Sequence, residues 1–239
     1  NPLAAGLKSW EPMLKNSMAF VTAEYLSTDE GKDFGGKYRE GQATLNGTWN
    51  PYLEKWSEMI TSGVYTTDMT GIDHDQALEE FATGNAAMFC SGPWDLEAIQ
   101  SKNPDLNLNM MPFYGTKASA GWLIGGPGFA VNENSANKEA ALKVLAAIAT
   151  EEGQKALWEN NQGGSSYMSG VSFDLPEVYS SVSTAINAGN VYCPWNEWGA
   201  AAGAHEDYGT EMQKYLLGEE DLSAALSNVD AAVAELLSK

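Results

Sequence analysis

Residues 77–94 decide the fold and read Ala77-Leu78-Glu79-Glu80-Phe81-Ala82-Thr83-Gly84-Asn85-Ala86-Ala87-Met88-Phe89-Cys90-Ser91-Gly92-Pro93-Trp94. Just before them, Asp73 followed by Gln76 has the form of a capping box, which predicts a helix that Gly84 ends. Residues 86–90 are continuously apolar and predict a short, fully buried strand. The run 91–94 breaks that strand. This stretch is therefore a helix–strand unit with a tryptophan at the carboxyl end of its strand.

Helical patterns lie on both sides of this unit. Apolar residues recur at helical spacing over 13–26, and Asn50 to Gly63 predicts a helix with Asn50 as N-cap and Pro51 in its first turn. Two further helices are predicted over 136–149 and 150–160, and another over about 177–188. The inner face of the 136–149 helix would carry Leu142, Leu145 and Ile148, and the terminal helix carries Leu222, Leu226, Val229, Val233 and Leu236.

Two more segments have strand patterns. Leu106, Leu108 and Met110 alternate with asparagines, which predicts a strand with one wet face. Residues 122–131 form an apolar strand interrupted by glycine and proline. The fold class is therefore α/β, with more helix than strand.

The charge of the chain excludes several classes of partner. Its 239 residues hold 13 Lys and Arg against 32 Asp and Glu, a formal net charge of −19. Phosphate contacts need clustered cations, so nucleic acid is excluded as a partner, and an anionic membrane surface would repel the chain. Neutral sugars carry no such penalty. No run of 18 apolar residues occurs that could span a membrane.

Tryptophan is the most informative residue type. Eight Trp accompany seven Phe, and five of the Trp lie in predicted loops or at strand ends: Trp10, Trp94, Trp122, Trp195 and Trp198. Rigid aromatic faces complement the apolar C–H faces of pyranose rings, and exposed aromatics without a partner would be a liability. The other reading is core packing, which we assign to Trp56 and Trp158 on amphipathic helices.

Carboxylates beside these aromatics could accept hydrogen bonds from sugar hydroxyls. A glycosidase pair drawn from Asp95, Glu97 and Glu197 is the alternative, since two carboxylates flanking a glycosidic bond suffice for hydrolysis. A third reading makes the exposed tryptophans a patch for a protein partner.

A metal site is not predicted. Asp73-His74-Asp75, with Asp68 nearby, has no second histidine at ligand spacing, and the capping box already accounts for Asp73. The run 205–207, His-Glu-Asp, is interpreted as a solvated polar stretch. Cys90 and Cys193 are too few for a disulfide scaffold and lack metal-ligand spacing. They are either two buried thiols or, if their loops meet, one bridge.

Residues 77–94 resemble the signature "A…F…GkaAM…GpW" of extracellular solute-binding proteins of carbohydrate importers, the maltose-binding-protein-like group. The segments 121–131, 137–141 and 150–154 are similar to the family's next block, a strand followed by "nK.eaA..fl..l.t.eGq". Residues 216–219 and 224–226 are similar to its terminal helices. The resemblance covers essentially the whole chain.

The resemblance implies a lobe of the type II periplasmic-binding-protein-like fold, in which helices flank a central sheet and the C-terminus is helical. By this analogy, 1–118 and 163–239 form the C-terminal lobe. Residues 119–162 would cross the hinge and contribute to the N-terminal lobe, and we expect the rest of that lobe to be missing from a processed or truncated product. The ligand-binding residues it implies are Trp10, Glu11, Trp94, Asp95, Trp122, Trp195, Glu197 and Trp198.

The function so implied is non-catalytic binding of a mono- or oligosaccharide in a cleft between lobes. The sugar is then delivered to the permease subunits of an ABC transporter, without a cofactor. We expect an exported, lipid-anchored protein that is monomeric.

Overall fold

The chain is described from a computed structural model, which covers residues 1–116, 120–123, 129–158, 177–201 and 203–239. Its strands are β1 (Leu3–Ala4), β2 (Met88–Phe89), β3 (Phe113–Tyr114), β4 (Ala120–Leu123) and β5 (Val191–Tyr192). Its helices are α1 (Glu11–Val21), α2 (Phe34–Arg39), α3 (Asn50–Trp56), α4 (Glu58–Thr61), α5 (His74–Ala82), α6 (Leu96–Lys102), α7 (Lys138–Ile148), α8 (Glu151–Trp158), α9 (Ser180–Asn187), α10 (Pro194–Glu197), α11 (Ala204–Leu217) and α12 (Leu222–Leu237).

Helix α1 lies at the centre of the core. It continues into a π-helical turn at Thr22–Leu26, so the helix predicted over 13–26 is confirmed. It packs against α3, α11 and β4, and Ser17 and Tyr208 share a buried hydrogen bond of 2.8 Å between α1 and α11. Because α1 contacts elements from the start, middle and end of the chain, its first turn is held rigidly.

The predicted terminal helix is confirmed as α12, with Leu222, Leu226, Val229 and Val233 buried. The capping box of α5 is also confirmed, since Asp73 accepts from the Gln76 amide at 3.0 Å and Gln76 accepts from the Asp73 amide at 3.1 Å. Local sequence signals were sufficient at both places.

The helix predicted from Asn50 to Gly63 forms as α3 and α4, with Gly63 in the left-handed conformation at φ 76°. Asn50 is not its N-cap, however. Trp49 holds that position, and the Asn50 Oδ1 accepts a 2.6 Å hydrogen bond from the Gly47 amide, closing the turn that precedes the helix. Trp56 is fully buried, as predicted.

Strand β2 pairs with β1 in parallel, with Leu3 opposite Met88 and Ala4 opposite Phe89. The strand predicted over 86–90 therefore exists, but the prediction that it is fully buried is wrong. Met88 is 41% exposed and Phe89 is half-buried, because β1 is its only ladder partner among the described residues and one side of β2 faces a cavity.

Residues 106–110 are extended but do not form a strand, so the strand predicted there is wrong. Its alternation holds: Leu106, Leu108 and Met110 are half-buried while the two asparagines between them are exposed. The Met110 amide donates to the carbonyl of Val178, in the 3₁₀ turn at Glu177–Tyr179, at 2.9 Å.

A second sheet has the order β3-β4-β5, antiparallel between β3 and β4 and parallel between β4 and β5. Trp122 of β4 lies opposite Val191. The strand predicted over 122–131 is thus confirmed at its first residues, 122–123. Residues 124–128 lie outside the described residues, and 129–131 are not in a strand, so the prediction is wrong there. Helix α9 confirms the helix predicted over 177–188.

Helices α7 and α8 pack mainly on each other and confirm the two predicted helices. The predicted inward orientation of Leu142 is wrong, because that side chain is 43% exposed and its neighbour Val144 is 58% exposed. No residue of α7 is buried. The side chain of Trp158, predicted to be in the core, lies outside the described residues. Among the helices described, none has the length and apolar character needed to cross a membrane.

Candidate functional site

The loop after β2 carries Trp94, which is the most exposed of the described large apolar side chains at 59%. The residues 93–95 form a single 3₁₀ turn that leads into α6. The far end of the Trp94 indole lies against Gly92, where the Cβ of any other residue would overlap the ring. Gly92 therefore lets the indole lie on the main chain of its own loop while most of its surface remains open.

Asp95 anchors this loop from beneath. It is buried, and its carboxylate lies 3.0 Å from the His74 Nε2, at the start of α5. The Ser91 hydroxyl donates to the same carboxylate oxygen, Asp95 Oδ2. These contacts join the two ends of the 91–95 loop to each other and, through His74, to α5, whose N-terminus is capped. Asp95, predicted as a ligand-binding residue, is thus engaged in holding the loop that presents Trp94.

The first turn of α1 lies beside Trp94. The Lys15 Nζ is 4.3 Å from the centroid of the indole, over its face, and 3.0 Å from the Glu11 Oε1. The three side chains form a row in which an ammonium group lies between a carboxylate and an aromatic face. The structure therefore brings Glu11 and Trp94 together, as the predicted site requires, through a lysine that the sequence analysis did not select.

Trp10 precedes α1 and is half-buried. Its main chain and Cβ lie directly against Gly209 of α11, where a larger residue would overlap them. Trp10 therefore lies at the junction of α1 and α11, next in sequence to Glu11.

Trp195 and Trp198 contact the same imidazole. The ring centroid of His205, in the first turn of α11, is 5.4 Å from that of Trp195 and 4.5 Å from that of Trp198. Trp195 is 39% exposed, whereas Trp198 is fully buried and donates from its indole Nε1 to the Tyr192 hydroxyl at 3.0 Å. Trp198 thus has no free face for a ligand, and of this pair only Trp195 can reach one.

His205 was interpreted as part of a solvated stretch, and that interpretation is wrong because only 2% of its surface is exposed. His205 and Gly209 are separated by four residues and share one face of α11. The Trp195 side chain and Trp10 therefore contact α11 one helical turn apart, which places them in the same region of the molecule.

The remaining predicted carboxylates are Asp95, Glu97 and Glu197. Glu197 is in α10, and its side chain lies against Gly35 of α2 while its carbonyl accepts from Arg39 at 3.3 Å. Glu97 is exposed on α6. Asp95 contacts His74 and Ser91. Asp95 and Glu97 thus lie at the start of α6, whereas Glu197 is in α10.

Trp122 lies at a cavity of about 650 Å³ that also contacts Ser91 and Gly92 of the Trp94 loop. Apolar side chains of β2 and of the extended segment 106–114 form most of its wall, with Asn16 of α1 as a buried polar member. The volume is typical of small-molecule sites. Through this cavity Trp122 adjoins the same loop as Trp94.

Both cysteines are free thiols. Cys90 lines the cavity, accepts a hydrogen bond from the Asn16 amide, and has its pKa raised to about 11, chiefly by burial. The sequence left open two thiols or one disulfide bridge, and the structure contains two thiols. In the part of the chain that the structure describes, no three His, Cys, Asp or Glu side chains are grouped to hold a metal ion.

Sequence reasoning missed Lys15, His74 and His205. Lys15 could have been found, because it stands four residues after Glu11 in a predicted helix and so shares its face. His74 and His205 carried no such signal, since their partners are distant in sequence.

The sequence matches the family model described as "Bacterial extracellular solute-binding protein" over residues 3–172. No curated protein matches it. One similar solved structure is a family 1 extracellular solute-binding protein from Bifidobacterium longum subsp. infantis, with 23% identity and a TM-score of 0.73. The match covers 95% of this chain and 66% of that one.

A second is the sugar transporter BL01359 from Bacillus licheniformis, solved in complex with stachyose, with 15% identity and a TM-score of 0.73 over 98% of this chain and 61% of that one. A third, a chitin oligosaccharide binding protein, has 16% identity and a TM-score of 0.66 over 100% of this chain and 60% of that one. This chain therefore spans about three fifths to two thirds of their lengths.

These likenesses confirm the fold class predicted from the sequence, an α/β lobe of the type II periplasmic-binding-protein-like fold. The family model accounts for well over half of the residues, including the helix–strand unit and the Trp94 loop. The chain belongs to the bacterial extracellular solute-binding proteins.

Proposed function

We propose that the chain binds a neutral oligosaccharide without transforming it. The observation that carries the proposal is Trp94, an indole 59% exposed on a loop that Asp95 anchors from beneath. A large apolar side chain that stays exposed to water usually marks a binding surface. A rigid indole also loses little conformational entropy when a sugar ring stacks on it. The solved relatives whose titles name stachyose and chitin oligosaccharide support this class of ligand.

The proposed site also includes Glu11, Trp10, Trp122 and Trp195. Glu11 lies one lysine away from Trp94 and can accept from sugar hydroxyls, and Trp195 and Trp10 contact neighbouring turns of α11. Trp198 and Asp95 support the site from within instead of contacting the ligand. The net charge of −19 favours an uncharged ligand over an anionic one.

We also propose that the ligand lies between two lobes. Residues 1–118 and 163–239 would form one lobe. The segment 119–162 begins with β4, which pairs with β3 and β5 of that lobe, and would cross to the other lobe after it. The exposed apolar side chains Phe129, Leu142 and Val144, all within 119–162, support a packing partner for this segment. Several residues at these boundaries lie outside the described part of the chain. Closure of the lobes about a hinge would then enclose the sugar.

By its family, the protein would act outside the cytoplasm and deliver its sugar to the permease of an ABC transporter. A lipid anchor would keep it near that permease. A non-catalytic role is favoured because the Asp95 carboxylate is buried and already engaged by His74 and Ser91. If the protein were instead a glycosidase, incubation with stachyose or a chitin oligosaccharide would release shorter sugars, and Glu197→Gln would abolish the release.

The deciding experiment is a titration of the full-length protein with stachyose and with a chitin oligosaccharide, followed by tryptophan fluorescence and calorimetry. Trp94→Ala should weaken binding at least about 30-fold, the effect of a central aromatic contact, while leaving the circular dichroism spectrum unchanged. Leu217→Ala, at another exposed apolar side chain, is the control and should bind normally. Full affinity in Trp94→Ala would overturn the proposal.

A further inference from the structure

We propose that Lys15 is a positioning residue that fixes the Trp94 ring and leaves one face of it for the sugar. This inference deepens the proposed function and rests on it. The ammonium group lies over the indole at 4.3 Å from its centroid, within the range of a cation–π contact. The face that Lys15 covers is unavailable for stacking, so a sugar ring has the opposite face.

Three features restrict the Lys15 side chain. Its Nζ forms an ion pair with Glu11 at 3.0 Å, its own helix α1 is in the core, and the stem is largely covered, with 17% of the side chain exposed. An ion pair on an open surface is worth little, but this lysine is already restricted and loses little further freedom. Glu11 therefore fixes Lys15, and Lys15 fixes the indole.

Trp94 needs such a contact because it is otherwise exposed. Of the described residues, Gly92 lies against the far end of the ring, and Asp95 anchors the main chain of the loop. Without the ammonium group, rotation about the side-chain torsions of Trp94 would be opposed mainly by Gly92. Ordering the ring would then be left to ligand binding, which weakens the affinity.

The first test needs no ligand. A tryptophan held in one orientation contributes a near-UV circular dichroism band, and a mobile one contributes little. The near-UV contribution of Trp94 is obtained by subtracting the spectrum of Trp94→Phe from that of wild type. The same contribution in the absence of the lysine is obtained by subtracting the spectrum of the double variant Lys15→Met/Trp94→Phe from that of Lys15→Met. Methionine keeps the apolar stem, so the fold is preserved. We expect the Trp94 contribution to fall at least about twofold in Lys15→Met.

Lys15→Arg is the rescue variant, since a guanidinium also stacks on an indole, and it should restore the band. Lys239→Met is the matched control. Lys239 makes the same kind of i,i+4 ion pair, with Glu235 at 3.0 Å, at the far end of α12, and its removal should leave the band unchanged. Glu11→Gln, which frees the ammonium group while keeping it present, should give an intermediate loss.

The second test is affinity for stachyose and the chitin oligosaccharide. Lys15→Met should bind about three- to tenfold more weakly and Lys15→Arg nearly as well as wild type. An unchanged Trp94 band in Lys15→Met overturns the inference, and weaker binding with that band intact would mean that Lys15 contacts the sugar directly. If Trp94→Ala itself binds fully, the proposed function fails instead, and the ligand-free band still decides whether Lys15 orients the ring.

Discussion

Glu24 accepts hydrogen bonds from both the main-chain amide and the hydroxyl of Thr116, joining the turn after α1 to the end of the segment 106–116. Lys55 adds an ion pair at 3.4 Å, and the Glu24 side chain is 3% exposed. This carboxylate therefore holds Thr116 against the turn after α1.

Stability should fall in acid because of Glu24. Burial by itself raises its pKa, but the hydrogen bonds from Thr116 and Lys55 outweigh burial and hold the pKa below the ordinary value of 4.5. The unfolded chain then takes up the proton first, so the contribution is present above that value and is lost as the pH falls through the lowered pKa. Urea unfolding between about pH 3 and pH 7 measures the effect.

Glu24→Gln should flatten this acid limb of the stability curve. Glu54→Gln, at an exposed glutamate of α3, should leave the limb unchanged. If wild type and Glu24→Gln lose stability in parallel below pH 4.5, the hydrogen bonds to Thr116 do not govern the acid sensitivity.

Asp230 of α12 should make a measurable contribution to stability. Its carboxylate accepts from the Leu45 amide at 2.8 Å and from the Asn46 amide at 3.0 Å, which satisfies a turn that precedes α3. Asp230→Ala leaves both donors without an acceptor and should reduce the free energy of unfolding by about 1–3 kcal/mol. Chemical denaturation gives the value, and exposed Asp105→Ala should stay within about 0.5 kcal/mol of wild type. Equal stability of the two variants would contradict the role given to Asp230.

Asp95→Ala should loosen the Trp94 loop. It removes the partner of His74 and of the Ser91 hydroxyl, so we expect a loss of about 1–3 kcal/mol in the free energy of unfolding together with weaker sugar binding. Glu97→Ala, two residues later and exposed, should change neither. Denaturation and titration of the same pair of variants separate an anchoring carboxylate from one that merely belongs to an acidic surface. A stable Asp95→Ala that binds normally would refute the anchoring role.

The cysteines should remain unbridged. Because burial raises the pKa of Cys90 to about 11, its thiol should react slowly with an alkylating reagent in the folded protein at neutral pH. After unfolding without a reductant, both Cys90 and Cys193 should be alkylated, which peptide mass spectrometry detects. A disulfide-linked peptide containing both residues would show that the free-thiol state is not the one present in solution.

The sequence was sufficient where structure depends on near neighbours. The Asp73–Gln76 capping box and the four- and three-residue steps of α12 are local, and both formed as predicted. Asn50 was misjudged because its side chain satisfies a turn behind it instead of the helix ahead.

In the candidate site, too, residues with local sequence signals were predicted and residues whose partners are distant in sequence were not. Trp94 was found because Gly92 and Pro93 break an apolar strand immediately before it. The burial of Trp198 could not be read from its own segment, because its partners are Tyr192 and the His205 imidazole of a later helix. Lys15 was overlooked because a helical lysine beside a glutamate is usually a solvated pair.

Helix α11 carries two of the aromatic groups described above, since Trp10 lies against Gly209 and Trp195 contacts His205 one turn earlier. Any rotation or translation of α11 therefore displaces both groups in concert. Helix α11 therefore links the start of α1 to the segment 195–198. A fluorophore exchanged for Trp195 would therefore report a displacement of α11 that also moves Trp10.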